Sequence, residues 1–134
     1  MTTSAKGTFE IESWEEKPYA VPGEGMKLTR AEVRERFRGD IEGAGSSQSL
    51  MCYRADGTAT YLGFELIEGS VGGRTGTFVL RVDGDYDGTN ASATWTVVTG
   101  SATGKLAGLE GSGGFSAPPG STAEVTLDYD LPGR

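Results

Sequence analysis

Residues 30–43 read RAEVRERFRGDIEG, and the class of the whole chain turns on how this stretch folds. Ala31, Val33, Glu35, Phe37, Gly39 and Ile41 alternate with Glu32, Arg34, Arg36, Arg38, Asp40 and Glu42. A period of two is the signature of a half-buried strand. A helix competes, because Thr29 and Glu32 stand at capping-box spacing ahead of good helix formers. The alternation continues through Gly39 and Gly43, however, and a glycine inside a helix costs about 1 kcal/mol relative to alanine. The strand reading is therefore preferred, and it places an acid, Glu35, on an otherwise apolar face.

Working outward, TFEIESW at 8–14 alternates Phe9, Ile11 and Ser13 against Glu10, Glu12 and Trp14, an imperfect strand that runs into a Pro18–Gly25 loop. On the other side, strands are expected near 47–54, 58–68, 75–84, 91–99, 104–110 and 122–131. They are separated by the turn sequences ADG, GGR, DGTN and APPG. About eight consecutive strands with short connections and no crossover helix must pack as two sheets or close on themselves, and closure alone removes the exposed edges. The expectation is an all-β fold, a small closed antiparallel up-and-down barrel forming one domain over 1–134.

Composition narrows the function. The chain has 134 residues, 22 of them Gly spread along its length, with aromatic residues in every region, which is not the profile of a disordered chain. A net charge of −7 argues against nucleic acid, and the one basic run, Arg30 to Arg38, is interleaved with Glu32 and Glu35. The opening MTTSAKGTFEIES lacks the apolar core of a secretory signal. No other stretch approaches the roughly 20 apolar residues that span a bilayer. A soluble cytoplasmic protein with no membrane partner is expected. With one cysteine, Cys52, and no histidine, an internal disulfide, a thiolate metal site and every histidine-dependent hydrolytic mechanism are excluded. No metal and no cofactor are expected.

Three stretches resemble known motifs. RVDGDYDGTN at 81–90 carries Asp83, Asp85, Asp87 and Gly88 in the order of a calcium loop, but the bidentate Glu of that loop falls on Thr94 and the flanks read as strands. Asp and Gly are also what a hairpin turn needs, and the turn is preferred. GSATGKL at 100–106 has the wrong glycine spacing for a phosphate loop and Leu106 where a hydroxyl would bind magnesium. Asn90-Ala91-Ser92 fits a glycosylation acceptor, which means nothing without secretion. Cys52 reads as a packed residue, since no histidine exists to activate it.

FRGDIEGAGS, YLGFELIEGSVGGRTGTFVLRVDG, TWTVVTGSATGKLAGLEGSGGF, LDYDL and the early SWEEKPY together resemble the bacterial domain-of-unknown-function family 3224 over nearly the whole chain. The resemblance implies a small closed barrel similar to the allene oxide cyclase type, and it implies no activity, because the family is named for lacking one. Relatives tend to carry His within FVLxHxG. Here that position is Val82, so no role of that histidine transfers.

A ligand inside such a barrel would meet inward side chains. Glu35 shares the face of Ala31, Val33, Phe37 and Ile41, where an unpaired acid is costly. Tyr61, Gly63, Glu65 and Ile67 share one face opposite Leu62, Phe64 and Leu66, and the resemblance favours Tyr61 and Glu65 inward. Glu65, Glu35 and Tyr61 are the candidate catalytic residues, two carboxylates of raised pKa and a phenol. Tyr53, Trp95, Tyr129 and Phe37 are the candidate ligand-binding walls. The leading expectation is a barrel binding a small hydrophobic ligand. The alternatives are a cyclase or isomerase working by carboxylate and tyrosine acid-base chemistry, and an interaction module with a filled barrel. A homo-oligomer could bury the Leu62, Phe64 and Leu66 face.

Overall fold

The computed structural model describes residues 2–119 and 122–132. Its strands are β1 (Thr3–Ala20), β2 (Lys27–Gly39), β3 (Ile41–Tyr53), β4 (Ala59–Val71), β5 (Arg74–Tyr86), β6 (Ala91–Val97), β7 (Glu110–Ala117) and β8 (Ala123–Asp130), with one short 3₁₀ turn at Gly104–Leu106. Each strand pairs antiparallel with the next, and β8 returns to β1, closing the barrel. Eight strands enclose an interior that side chains can fill or that can hold one small ligand.

The alternation that marks RAEVRERFRGDIEG as extended is what the barrel uses. Ala31, Val33, Glu35 and Phe37 point inward and the intervening charges point to solvent. The stretch is two strands, however, because the chain turns at Asp40 between Gly39 and Ile41. Gly39 takes a φ of +114°, which an L side chain rarely adopts. The turn is tied to β1 by hydrogen bonds from the Asp40 amide to the Lys6 carbonyl (2.9 Å) and from the Lys6 amide to Asp40 Oδ2 (3.0 Å). Since inward and outward positions keep their parity across this tight turn, the sequence pattern carries no visible break.

Two further expectations are corrected. Residues 104–109 do not form a strand; the 3₁₀ turn occupies Gly104–Leu106, and the seventh strand lies at Glu110–Ala117. Leu106 and Leu109, three residues apart as such a turn requires, are both fully sealed from solvent and cap one end of the interior. The other correction lies in β1, where the register against β2 slips between Ile11 and Ser13, leaving Glu12 as an extra residue. Ile11 pairs with Glu35 and Trp14 with Val33, so the inward parity changes from odd to even residues across the bulge. That puts Trp14 and Glu16 on the inner side in place of Ser13.

The core occupies the end closed by the 3₁₀ turn, where Ile41, Ile67, Val71, Phe78, Leu80, Leu106, Leu109 and Leu127 are buried. An aromatic layer crosses the middle of the barrel. Phe37 packs on Phe9 (centroids 5.3 Å apart) and on Trp95 (6.4 Å), and Phe115 packs on Phe9 (5.2 Å) and on Trp95 (5.5 Å). The Trp95 indole N–H donates to the Thr126 carbonyl at 2.9 Å, so this buried aromatic has its polar atom satisfied. On the outside, Leu50, Leu62, Phe64 and Leu66 form an exposed apolar face across β3 and β4. No helix among the described residues is long and apolar enough to cross a membrane.

Candidate functional site

Above the aromatic layer, the half of the barrel nearest the β1–β2, β3–β4 and β5–β6 turns is not filled. A cavity of about 390 Å³ opens there, within the size range of small-molecule sites. Its walls are mostly apolar or aromatic: Phe9, Ile11, Trp14, Val33, Met51, Tyr53, Tyr61, Val82, Tyr86 and Phe115. The polar atoms at its floor come from Glu35 and Glu65, with Ser47 and Ser49 beside them. Of the residues singled out from sequence, Glu35, Glu65, Tyr61 and Tyr53 face this space together. Phe37 and Trp95 lie one layer deeper and support the floor without lining it. Tyr129 sits at the opposite end, where its hydroxyl lies against Gly72 in the β4–β5 turn.

Glu35 and Glu65 are buried polar residues, exposed by 6% and 2%. Pairing brings them together: Glu35 is opposite Gly45, and Glu65 is opposite Ser47 two residues along the same strand. Gly45 leaves the room they need, because a Cβ there would come within 2.6 Å of both Glu65 Oε2 and Phe37 Cε1. Oε1 of Glu35 and Oε2 of Glu65 are sealed from solvent, and no other described side chain or backbone group gives them a hydrogen bond. The two carboxyls do lie within hydrogen-bonding reach of each other. Two bare carboxylates in such contact would repel strongly, whereas one shared proton satisfies both.

Burial favours holding that proton. Desolvation raises the Glu65 carboxyl well above its usual range, and the hydrogen bond to Glu35 and the neighbouring charge raise it further. Desolvation also raises Glu35, and the hydrogen bond to Glu65 offsets this only in part, so Glu35 too lies above its usual range. The pair titrates as one unit, a carboxylic acid beside a carboxylate.

Tyr61 borders the pair, seated in a gap left by Gly84. A Cβ at Gly84 would overlap the phenol ring. Its hydroxyl donates to the Ser92 carbonyl at 3.1 Å. Burial first, then the charges of Asp85 and Glu35, push the phenol further up, so it stays protonated.

At the mouth a second network forms around Glu16, which the sequence reading missed because the bulge at Glu12 hides its inward direction. Glu16 Oε2 accepts from Thr29 Oγ1 (2.5 Å) and from the Tyr53 hydroxyl (2.7 Å), and Glu16 Oε1 accepts from the Trp14 indole (3.0 Å). Burial opposes its charge, but these three donors and nearby Lys27 outweigh that and hold Glu16 below the usual carboxylate range. Lys27 Nζ lies over the Tyr53 ring, 4.8 Å from its centroid. Desolvation, then the bond to Glu16, raises the Tyr53 phenol.

The aspartate-rich stretch belongs elsewhere. Asp87 Oδ1 accepts the backbone amides of Thr89 (2.8 Å) and Asn90 (2.7 Å), while Thr60 Oγ1 donates to Asp85 Oδ1 (2.9 Å). That is the chemistry of an Asx-capped hairpin on the outer surface. Among the described residues no group of three or more acidic or cysteine side chains is placed to hold a metal.

A closed eight-stranded antiparallel barrel, plugged at one end and hollow at the other around a buried acid pair, defines the class of this protein. The family described as "Protein of unknown function (DUF3224)" matches residues 5–129, and the chain belongs to it. It is similar to a crystal structure of a DUF3224 protein of unknown function from Shewanella oneidensis MR-1. The two share 25% identity and a TM-score of 0.79 over 99% of this chain and 100% of that one. No curated protein matches.

Proposed function

We propose that the open half of the barrel is a binding site for a small, largely apolar molecule that carries one polar group to the Glu35–Glu65 pair. The supporting observation is the cavity of about 390 Å³ with apolar and aromatic walls and a single polar floor. Such a layout gains affinity from apolar burial and orientation from a few fixed polar atoms. An interior built only for stability would fill this space, as the opposite end does with Leu106 and Leu109. The test is fluorescence titration with the neutral apolar dye N-phenyl-1-naphthylamine, on the wild type and on Ala117→Trp. Ala117 lines the cavity. Saturable dye binding that the variant loses while keeping its strand spectrum supports the reading; no binding to the wild type ends it.

A second reading rests on the proton shared by the two carboxyls. A carboxylate beside a carboxylic acid is a base beside an acid. With a neutral unsaturated ketone in the cavity, the carboxylate of the pair would take a proton from the carbon next to the carbonyl while the carboxylic acid gives its proton to the carbonyl oxygen. Return of a proton at a different carbon and loss of the enol proton complete a double-bond shift. Glu35→Gln and Glu65→Gln would each abolish such turnover with little change in melting temperature, and full activity in both variants refutes it.

A further inference from the structure

We infer that the molecule held in this cavity is a hydrophobic amine, its ammonium group seated against the Glu35–Glu65 pair and its apolar body among the aromatic walls. The inference rests on the binding reading above and narrows it to a chemical class.

The charges around the cavity are one-sided. Its lining includes two carboxyls and no lysine or arginine. At the mouth, Glu16 on β1 is already occupied by Thr29, Tyr53, Trp14 and the nearby Lys27. The Glu35–Glu65 pair, from β2 and β4, has no cationic partner among the described residues. β3 contributes the hydroxyls of Ser47, Ser49 and Tyr53; β4 and β5 contribute the phenols of Tyr61 and Tyr86; the β6 and β7 lining is Ala91, Phe115 and Ala117. Asp85, whose charge acts on Tyr61, is also acidic. A buried carboxylate without a counter-charge is costly, and the protein offers only a shared proton. An ammonium at the floor supplies the missing charge and several donors to a pair that lines the cavity.

Alternative ligand classes fit less well. An organic acid would bring a third negative charge to the floor. A neutral alcohol could donate one hydrogen bond but would leave the desolvated charge unbalanced. The walls also favour a cation: the side chains of Phe9, Trp14, Tyr53, Tyr61, Tyr86 and Phe115 border one small space, and aromatic rings attract cations. Lys27 over Tyr53 already makes such a contact at the rim.

The proton makes the class testable by the sign of a pH dependence. An ammonium favours ionisation of the pair and displaces its proton, so affinity rises with pH. A neutral carbonyl ligand would need that proton, so affinity would fall with pH. The experiment is calorimetric titration of wild-type protein at pH 5, 6, 7 and 8 with 2-phenylethylamine, 2-phenylethanol and 3-phenylpropanoate, which differ in their polar end. The expected result is amine binding at least about tenfold tighter than alcohol at pH 7, no binding of the acid, and amine affinity that strengthens as pH rises. Glu35→Gln should bring amine and alcohol to similar affinity; the wild-type comparison stands alone should that variant not fold. Alcohol binding as tight as amine, or amine affinity falling with pH, overturns the assignment and leaves the binding site intact. Binding of the neutral dye with none of the three probes overturns it equally. Failure of dye and probes together removes the binding site and the amine with it.

Discussion

At the scale of single residues, the Glu35–Glu65 pair makes this barrel more than a packed shell, and its protonation should be visible in stability. Glu65 has a folded-state pKa raised by burial and by its partner. The folded chain therefore keeps a proton that the unfolded chain has released once pH exceeds the ordinary glutamate value of about 4.3. The contribution of this group to stability is complete below that value and declines as pH rises through the raised pKa. Glu16 runs the other way: its pKa is lowered, so its contribution is present above the ordinary value and is lost as pH falls through the lowered one. Glu65→Gln keeps a donor for Glu35 but cannot ionise. Urea unfolding from pH 5 to pH 8 should show the variant gaining on the wild type as pH rises; a difference that stays constant would mean the pair holds no extra proton. Small residues matter as much as acids. Gly84→Ala would push a Cβ into the Tyr61 ring and drive the phenol off the Ser92 carbonyl toward the cavity. A cost of about 1–3 kcal/mol in urea unfolding and weaker dye binding are expected together. Loss of stability with dye affinity unchanged would mean the ring relaxes away from the cavity.

At the scale of elements, legibility followed side-chain alternation and failed where glycine or an irregularity removed it. β2, β4 and β5 were readable because branched, aromatic and charged residues alternate along them; the alternation grouped Tyr61 with Glu65, and the family resemblance chose their face as the inward one. β7 was not, since EGSGGFSA offers only Phe115 as a large apolar side chain and no β-branched residue. The more apolar KLAGLE before it drew the strand assignment, although its Leu106 and Leu109 pack as a plug. The bulge in β1 hid Trp14 and Glu16 for a different reason: one extra residue exchanges the two faces, and no local sequence feature announces it. The bulge also predicts how deletions are tolerated. Removing Glu12 leaves Ile11 opposite Glu35 and Ser13 opposite Arg34 in regular register, so both halves of β1 keep their inward residues. That deletion should cost less than about 1 kcal/mol in a thermal melt. Removing Arg34, which pairs with both Ser13 and Ser46, moves the residues beyond it to the wrong face, and the chain should not fold. Equal damage from the two deletions would mean the bulge is needed for the barrel to close.

At the scale of the whole molecule, the barrel divides its length between two tasks that the central aromatic layer keeps apart. Below Phe37 and Trp95 the interior is filled by buried apolar side chains; above them the space is left open between apolar and aromatic walls. This arrangement explains why the sequence reading found the walls of the site more easily than its limits. Inward alternation says which residues face the axis, but not how far along the axis packing stops, and Phe37, Trp95 and Tyr129 fell on the far side of that boundary. The division also predicts that damage at one end should spare the other. Leu106→Ala removes a fully buried side chain from the plug and should destabilise the protein by about 2–5 kcal/mol. Its dye affinity, measured well below the melting transition, should stay within about twofold of wild type, because no atom of the cavity wall is changed. Ala117→Trp should do the opposite, leaving urea unfolding nearly unaltered while abolishing dye binding. A large affinity loss in Leu106→Ala would show that the aromatic layer transmits changes in packing from the plug to the site. The two halves would then have to be treated as one cooperative unit.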